Sequence, residues 1–287
     1  MRRPSFDLKI PLERRSSVVF ASPHSGRDYS FDFLNQSVLD AQAIRSSEDA
    51  FVDLIYAHAL DCGAPLLSAR APRAYVDLNR SADELDPAVI EGLERARHNP
   101  RINSGLGVIP RVVASGRAIY SGKLTRSEAQ ARLDRIWHPY HQCLTELLAE
   151  THARFGRAIL IDCHSMPHEA IVNLSSAGAT LPEVVLGDRF GGSASPVLVE
   201  QVEAAFRRAG FRVARNAPFA GAFVTQHYGK PRRNQHALQV ELDRSLYMDE
   251  KALRLRDDFP SFLKQMQAVI GEISALGEGE KLQVAAE

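Results

Sequence analysis

Two histidines in this chain sit in nearly the same local setting. His24 lies in Ser22-Pro23-His24-Ser25-Gly26 and His164 in Asp162-Cys163-His164-Ser165-Met166-Pro167, each directly after a short, almost continuous apolar run. Ligands of open α/β sheets gather outside the carboxyl ends of the strands, so a histidine leaving such a run stands where chemistry is done. Pro23 and Pro167 cannot extend a central ladder, and Gly26 permits a sharp turn. Two imidazoles and one acidic residue form the ligand set of a catalytic zinc, which keeps three protein ligands and an open position for water. Glu48-Asp49, ahead of the helically spaced Phe51, Leu54 and Ile55, is the natural source of the acid. The separations match no short metal motif such as H-E-x-x-H, so each histidine taken singly reads equally as a hydrogen-bonded structural residue. Their common setting favours the metal. Glu241 places a carboxylate inside the apolar run 238–242. Buried and unpaired it would be costly, so it needs a cation, a hydrogen-bonding partner or a role.

Three further clusters carry polar chemistry. Tyr75-Val76-Asp77-Leu78-Asn79-Arg80 supports two readings of equal weight. In one, Asp77 and Arg80 form an ordinary ion pair; in the other, Arg80 clamps a substrate carboxylate and Asn79 adds a donor. Ser81 then caps a following helix. Gln226-His227-Tyr228-Gly229-Lys230-Pro231 is a turn that serves as a binding loop or a plain surface loop. Trp137-His138-Pro139-Tyr140-His141 falls on an amphipathic stripe and reads as core, so neither histidine is assigned to a metal. Cys163 adjoins His164, but neighbours on a strand point to opposite faces and cannot easily form a nucleophile–base pair.

The elements that must hold these groups follow from the apolar rhythm. Short β-branched runs at 17–21, 157–161, 183–186, 211–214 and 238–242 predict strands buried on both faces. Thr125 and Glu128 form a capping box ahead of Leu133, Ile136, Trp137, Tyr140, Leu144 and Leu147. Ser195-Pro196 opens a helix that ends at Gly210, and a last helix near 251–276 is broken or begun by Pro260. Strands alternating with helices predict an α/β fold with a mixed, largely parallel sheet flanked by helices, in a single domain over 1–287. Residues 98–122 keep no period and read as a long loop, either an active-site lid or a meandering surface hairpin.

With 35 Lys+Arg against 35 Asp+Glu, the formal net charge is zero, which argues against nucleic-acid binding or membrane attachment by bulk charge. Three scattered cysteines, Cys62, Cys143 and Cys163, make no disulfide framework. Residues 1–20 lack the apolar core of a signal peptide, and no window is long and apolar enough to span a bilayer. The expectation is a soluble cytoplasmic protein.

The motifs SPHSGRDY, YVDLNRSADELDP, DCHSMP, QHYGKP and HALQVELDRSLYMDE, in that order from about Ser22 to Glu250, resemble the N-formylglutamate amidohydrolase family. The resemblance implies a zinc-carboxypeptidase-like (phosphorylase/hydrolase-like) fold, related to aspartoacylases. It implies one zinc ion on His24, His164 and an acid, and Asp49 rather than Glu48 matches the acidic position. It further implies Glu241 as general base, and Asn79, Arg80 and His227 as contacts to a small acidic N-acyl amino acid. Hydrolysis of N-formyl-L-glutamate to formate and glutamate, in histidine degradation, is the activity implied. The chain departs from the family run G-G-H-I-T-R-H-Y-G, reading Gly221-Ala222-Phe223-Val224-Thr225-Gln226-His227-Tyr228-Gly229. The arginine lost at Gln226 bears on which acyl amino acid fits, so a related deacylase or carboxypeptidase-like hydrolase is the alternative. A metal-free binding protein on the same fold is disfavoured, because such a descendant would be free to lose the histidines and Glu241.

Overall fold

The computed structural model describes residues 4–94, 99–172 and 181–278, and seven strands within them join one sheet. In chain order these are β1 (Phe6–Lys9), β2 (Val18–Ser22), β3 (Leu66–Ala69), β4 (Ala158–Met166), β5 (Val184–Gly187), β6 (Val213–Arg215) and β7 (Gln235–Asp243). Across the sheet they run β1-β3-β2-β4-β7-β5-β6. The pairs β2–β3, β2–β4, β4–β7 and β5–β6 are parallel, whereas β1–β3 and β5–β7 are antiparallel. The sheet is thus mixed and largely parallel, as the alternation of strands and helices predicts.

Side chains alternate across a strand, and both faces here are covered. Val18, Phe20, Ile159, Ile161, Leu238 and Val240 pack on one face with the helices Pro196–Arg208 and Phe259–Leu276. Val19, Ala21, Leu160 and Ala237 pack on the other with the helix His138–Phe155. The helix signals are realised. Thr125 Oγ1 accepts from Glu128 N at 3.2 Å while Thr125 N donates to Glu128 Oε2 at 2.8 Å. Ser195 caps Pro196–Arg208, and Pro260 sits in the first turn of Phe259–Leu276 rather than breaking it. Between Arg126–Arg132 and His138–Phe155 lies one π-helical turn, Leu133–Trp137.

The structure departs from the sequence reading in several places. The last helix begins at Phe259 rather than near residue 251, the chain before it pairing as the short strands Met248–Asp249 and Arg254–Leu255. Strands β1 and β3 were not expected: β1 is a largely exposed edge, and β3 is a four-residue run that includes Ser68. No helix follows Ser81; the chain makes a turn in which Ser81 N donates to Glu84 Oε1 at 3.1 Å. Strand β4 does not end at Ile161 but continues to Met166, because Asp162 and His164 lie in register with Gln239 and Glu241 of β7. The stretch 98–122 is no free hairpin. His98 lies outside the described residues, while the rest carries the helical turn Pro100–Asn103 and the fully buried Val108, Ile109 and Ile119. It packs against the chain after Asp77: Asp77 N donates to Val108 O at 2.8 Å, and a Cβ on Gly107 would lie 2.5 Å from Glu84 O.

Candidate active site

The long register of β4 with β7 decides where the polar side chains go. Asp162 and His164, two apart on β4, share a face with Gln239 and Glu241, two apart on β7. The intervening Cys163 and Val240 point into the apolar core of the opposite face. Cys163 Sγ donates to Ile161 O at 3.3 Å, and among the described residues it makes no hydrogen bond to His164. His24 joins this face from the turn after β2. Gly26 fixes that turn by close approach, since a Cβ there would sit 2.1 Å from Ala71 O. Asp49 is tied to the same turn, its N–H donating to His24 O at 3.0 Å.

His24, Asp49 and His164 are all buried and each offers a ligand atom, the three atoms lying within 4.8 Å of one another. Asp49 Oδ2 is 3.0 Å from His164 Nδ1 and 3.5 Å from His24 Nδ1. Each imidazole is held by a carboxylate at its other nitrogen: His24 Nε2 is 2.7 Å from Asp77 Oδ1, and His164 Nε2 is 3.0 Å from Asp162 Oδ2. Metal-binding histidines are oriented in this way, the outer carboxylate fixing the tautomer that turns a lone pair inward. His24 Nδ1 is buried with no hydrogen-bond partner among the described residues, which is the expected condition of a ligand nitrogen. Glu48 points elsewhere, pairing with Arg45 at 2.9 Å and accepting from Tyr29 Oη at 3.2 Å, so the acid in the cluster is Asp49.

Burial would lower His164, but Asp162, Asp49 and Glu241 hold its imidazole well above the usual range, and both of its nitrogens face carboxylates. Burial alone would raise Asp49, but His164, His24 and Arg244 hold its carboxyl well below the usual range. Burial opposes ionisation of Asp77 as well, and Arg73, His24 and Arg80 overcome it. Glu241 behaves differently. It is 8% exposed, and burial together with the charges of Asp49 and Asp162 outweighs His164 and Arg73, pushing it up to about 7. Gln239 Nε2 donates to its Oε1 at 2.9 Å, and Oε2 has no protein partner among the described residues.

These groups open into a cavity of about 490 Å³ lined by His24, His164 and Glu241 together with Arg73, Arg80, Arg101 and Arg244. Leu106, Val112 and Val113 of the 98–122 stretch form part of its wall. Asn79 and Arg80 line it too, but the ion pair weighed for this motif does not form. Asp77 takes Arg73, at 3.0 Å, while Arg80 donates through Nε to Leu106 O and through Nη1 to Asn79 O, both at 2.9 Å. The Asn79 carboxamide is engaged in the fold, its Oδ1 accepting from Val224 N at 2.8 Å and its Nδ2 lying 3.1 Å from His164 Nε2. His227 is not brought to the others. It is exposed on the helix Phe223–Tyr228, stacks on Phe223 and is absent from the cavity lining. Gln226 is exposed on the same helix and also outside the lining.

Sequence reasoning missed Arg73, Asp162, Gln239 and Arg244. Arg244 Nη2 donates to Asp49 Oδ1 at 2.9 Å, anchoring the carboxylate from the far side. The available signal was period-two polarity, Asp162/His164 beyond the run 157–161 and Gln239/Glu241 inside the run 238–242, which marks one polar strand face rather than a strand exit. Two residues assigned to the core serve as braces. Buried His141, lowered to about 3 by burial and hence neutral, contacts Leu78 O at 3.0 Å and Tyr228 Oη at 2.9 Å. Trp137 Nε1 donates to Arg80 O at 2.9 Å.

Fold and site define the class: an α/β protein with a His–Asp–His group that could hold a metal ion and a buried glutamate at the carboxyl edge of its sheet, facing an arginine-lined cavity. The model of the N-formylglutamate amidohydrolase family matches residues 16–248. The chain belongs to that family. It is 32% identical over 242 residues to an N-formylglutamate deformylase of Pseudomonas aeruginosa, covering 83% of this chain and 84% of that protein. It is 30% identical over 239 residues to an N-formylglutamate deformylase of Pseudomonas putida, covering 82% and 83%. The crystal structure of N-formylglutamate amidohydrolase from Ralstonia eutropha JMP134 superposes with a TM-score of 0.90 at 34% identity, over 96% of this chain and 99% of that one. A gene product of Agrobacterium tumefaciens shares the fold, with a TM-score of 0.66 at 15% identity over 96% of each chain. No helix among the described residues is long and apolar enough to cross a membrane.

Proposed function

We propose that this protein is a zinc-dependent amidohydrolase that cleaves N-formyl-L-glutamate to formate and glutamate, with His24, Asp49 and His164 as the metal ligands. The carrying observation is the meeting, in one arginine-lined cavity, of that ligand set with a buried, protonatable Glu241. A divalent zinc ion bound there would lower the pKa of a water toward about 7 and polarise a carbonyl oxygen. The chain's own residues do the rest. Glu241 Oε2 takes a proton from the attacking water and returns it to the amide nitrogen as the C–N bond breaks. Gln239 holds Oε1 and keeps the carboxylate aimed during both transfers. Arg73, fixed by Asp77, presents positive charge toward the carbonyl oxygen on which negative charge develops. Arg80 orients the substrate through a carboxylate, and Asn79 Nδ2 donates to Asp162 Oδ2 and Gln239 Oε1, steadying the groups that hold His164 and Glu241. The wall contributed by residues 99–122 acts as a lid that limits water access. A cytoplasmic place in histidine degradation belongs to the same reading.

The family relatives named as deformylases support the substrate. The departure at Gln226 does not favour another one, because that residue lies outside the cavity lining. Formate release from N-formyl-L-amino acids, measured before and after chelation and zinc re-addition, tests the proposal. The glutamate derivative should be the preferred substrate, with activity lost to chelator and restored by zinc. Full activity in metal-free protein would overturn the metal assignment, and absence of formate release would overturn the substrate.

A further inference from the structure

Four arginines line the cavity, and they are not equivalent. Arg73 is committed to Asp77 and Arg244 to Asp49. Arg80 spends Nε and Nη1 on two backbone carbonyls and has no carboxylate partner; its Nη2 has no protein acceptor among the described residues. Arg101 stands on the helical turn Pro100–Asn103, whose first amides are capped by Asn99 Oδ1. Its side chain makes no hydrogen bond or ion pair among the described residues, although it is half-buried in the cavity wall. Two guanidinium groups with no carboxylate in ion-pair contact among the described residues therefore border one cavity. They are near enough to oppose each other: burial lowers Arg80 from its ordinary value, Asp77 and Glu84 counter it in part, and the charges of Arg73 and Arg101 add to the lowering. Like charges gathered in a desolvated wall are relieved by an anion, and a planar guanidinium suits a carboxylate through two parallel hydrogen bonds.

We propose that Arg101 is the specificity-determining residue for a second substrate carboxylate, pairing with the side-chain carboxylate of an N-acyl dicarboxylic amino acid while Arg80 holds the α-carboxylate. The inference rests on the N-formylglutamate reading and deepens it. The division of labour follows from position. Arg80 adjoins Asn79, which touches His164, so it is the cation close to the ligand cluster. An α-carboxylate is attached to the carbon that bears the scissile nitrogen and must lie near that cluster. The side-chain carboxylate is at the far end of the molecule. Arg101 belongs to the part of the wall contributed by residues 99–122, and among the described residues no hydrogen bond or ion pair ties it to the cluster.

The test compares N-formyl-L-glutamate with N-formyl-L-glutamine, which differs only in the charge of the distal group, for wild type, Arg101→Gln and Arg101→Lys. Arg101→Gln should raise KM for the glutamate derivative about 10- to 100-fold, with kcat little changed and the glutamine derivative hardly affected. Arg101→Lys should recover part of the loss, as a charge without the planar fork. Equal losses on both substrates, or no loss on either, would overturn the assignment. A wild-type protein that shows no preference for the acidic substrate would also overturn it while leaving the deformylase reading intact. A wild-type protein that releases formate from neither would overturn that reading and the inference with it.

Discussion

At the scale of single residues, the two acids of the site are separated by their surroundings. Asp49 is buried but met by His164, His24 and Arg244, and it stays ionised, as a carboxylate proposed to bind a metal would have to. Glu241, equally buried but facing other carboxylates, is pushed up to about 7, where a group can both take and give a proton. Replacing Glu241 with Gln keeps the shape and the contact with Gln239 but removes the proton acceptor. The variant should retain metal while kcat falls about 10²- to 10⁴-fold; unchanged turnover would remove Glu241 as the base. The sign of the pH dependence follows from the same group. A base works ionised, so activity is lost as pH falls through its pKa. A cation in the site draws that pKa down, placing the acidic limb of kcat/KM below about 7. A limb well above that value would point to a different group.

At the scale of elements, the strands and caps that set the scaffold were legible because they rest on local rules. The β-branched runs, the Thr125 box and Ser195-Pro196 each carry their own signal, and each appears in the structure. Legibility failed where position depends on partners. Strand β4 extends through Asp162 and His164 only because β7 offers Gln239 and Glu241 in register, which periodicity within either run cannot reveal. Arg73 and Arg244 were invisible for a similar reason, since an arginine becomes a site residue only when folding brings it to Asp77 or Asp49. Trp137 was read as core from its stripe, yet the π-helical turn brings its indole N–H to Arg80 O. Trp137→Phe keeps an aromatic ring and removes that donor, leaving a part-buried carbonyl unpaired at about 1 kcal/mol. It should lower Tm and raise KM, with kcat much less affected. An unchanged KM at reduced stability would limit the indole to packing.

At the scale of the whole molecule, the ligand cluster joins segments distant in the chain: the turn after β2, the loop at Asp49 and the centre of the sheet at β4. The outer carboxylates Asp77 and Asp162 extend that junction to the arginine-bearing loop and the next layer of the site. An ion that binds this assembled set, and not the unfolded chain, must stabilise the fold by mass action. At a free zinc concentration one hundred times Kd the gain is about 2.7 kcal/mol, which for a chain of this size is roughly 5 °C or more in Tm. His164→Ala removes a ligand and should abolish the zinc-dependent rise. Asp162→Asn leaves the imidazole but loosens its orientation and should weaken metal affinity by about 10- to 100-fold, so the same rise should require correspondingly more zinc. This measurement needs no substrate, so it separates the metal site from the chemistry proposed to occur there. A zinc-induced rise of equal size in wild type and His164→Ala would place the ion elsewhere and leave the buried His24 Nδ1 without an explanation.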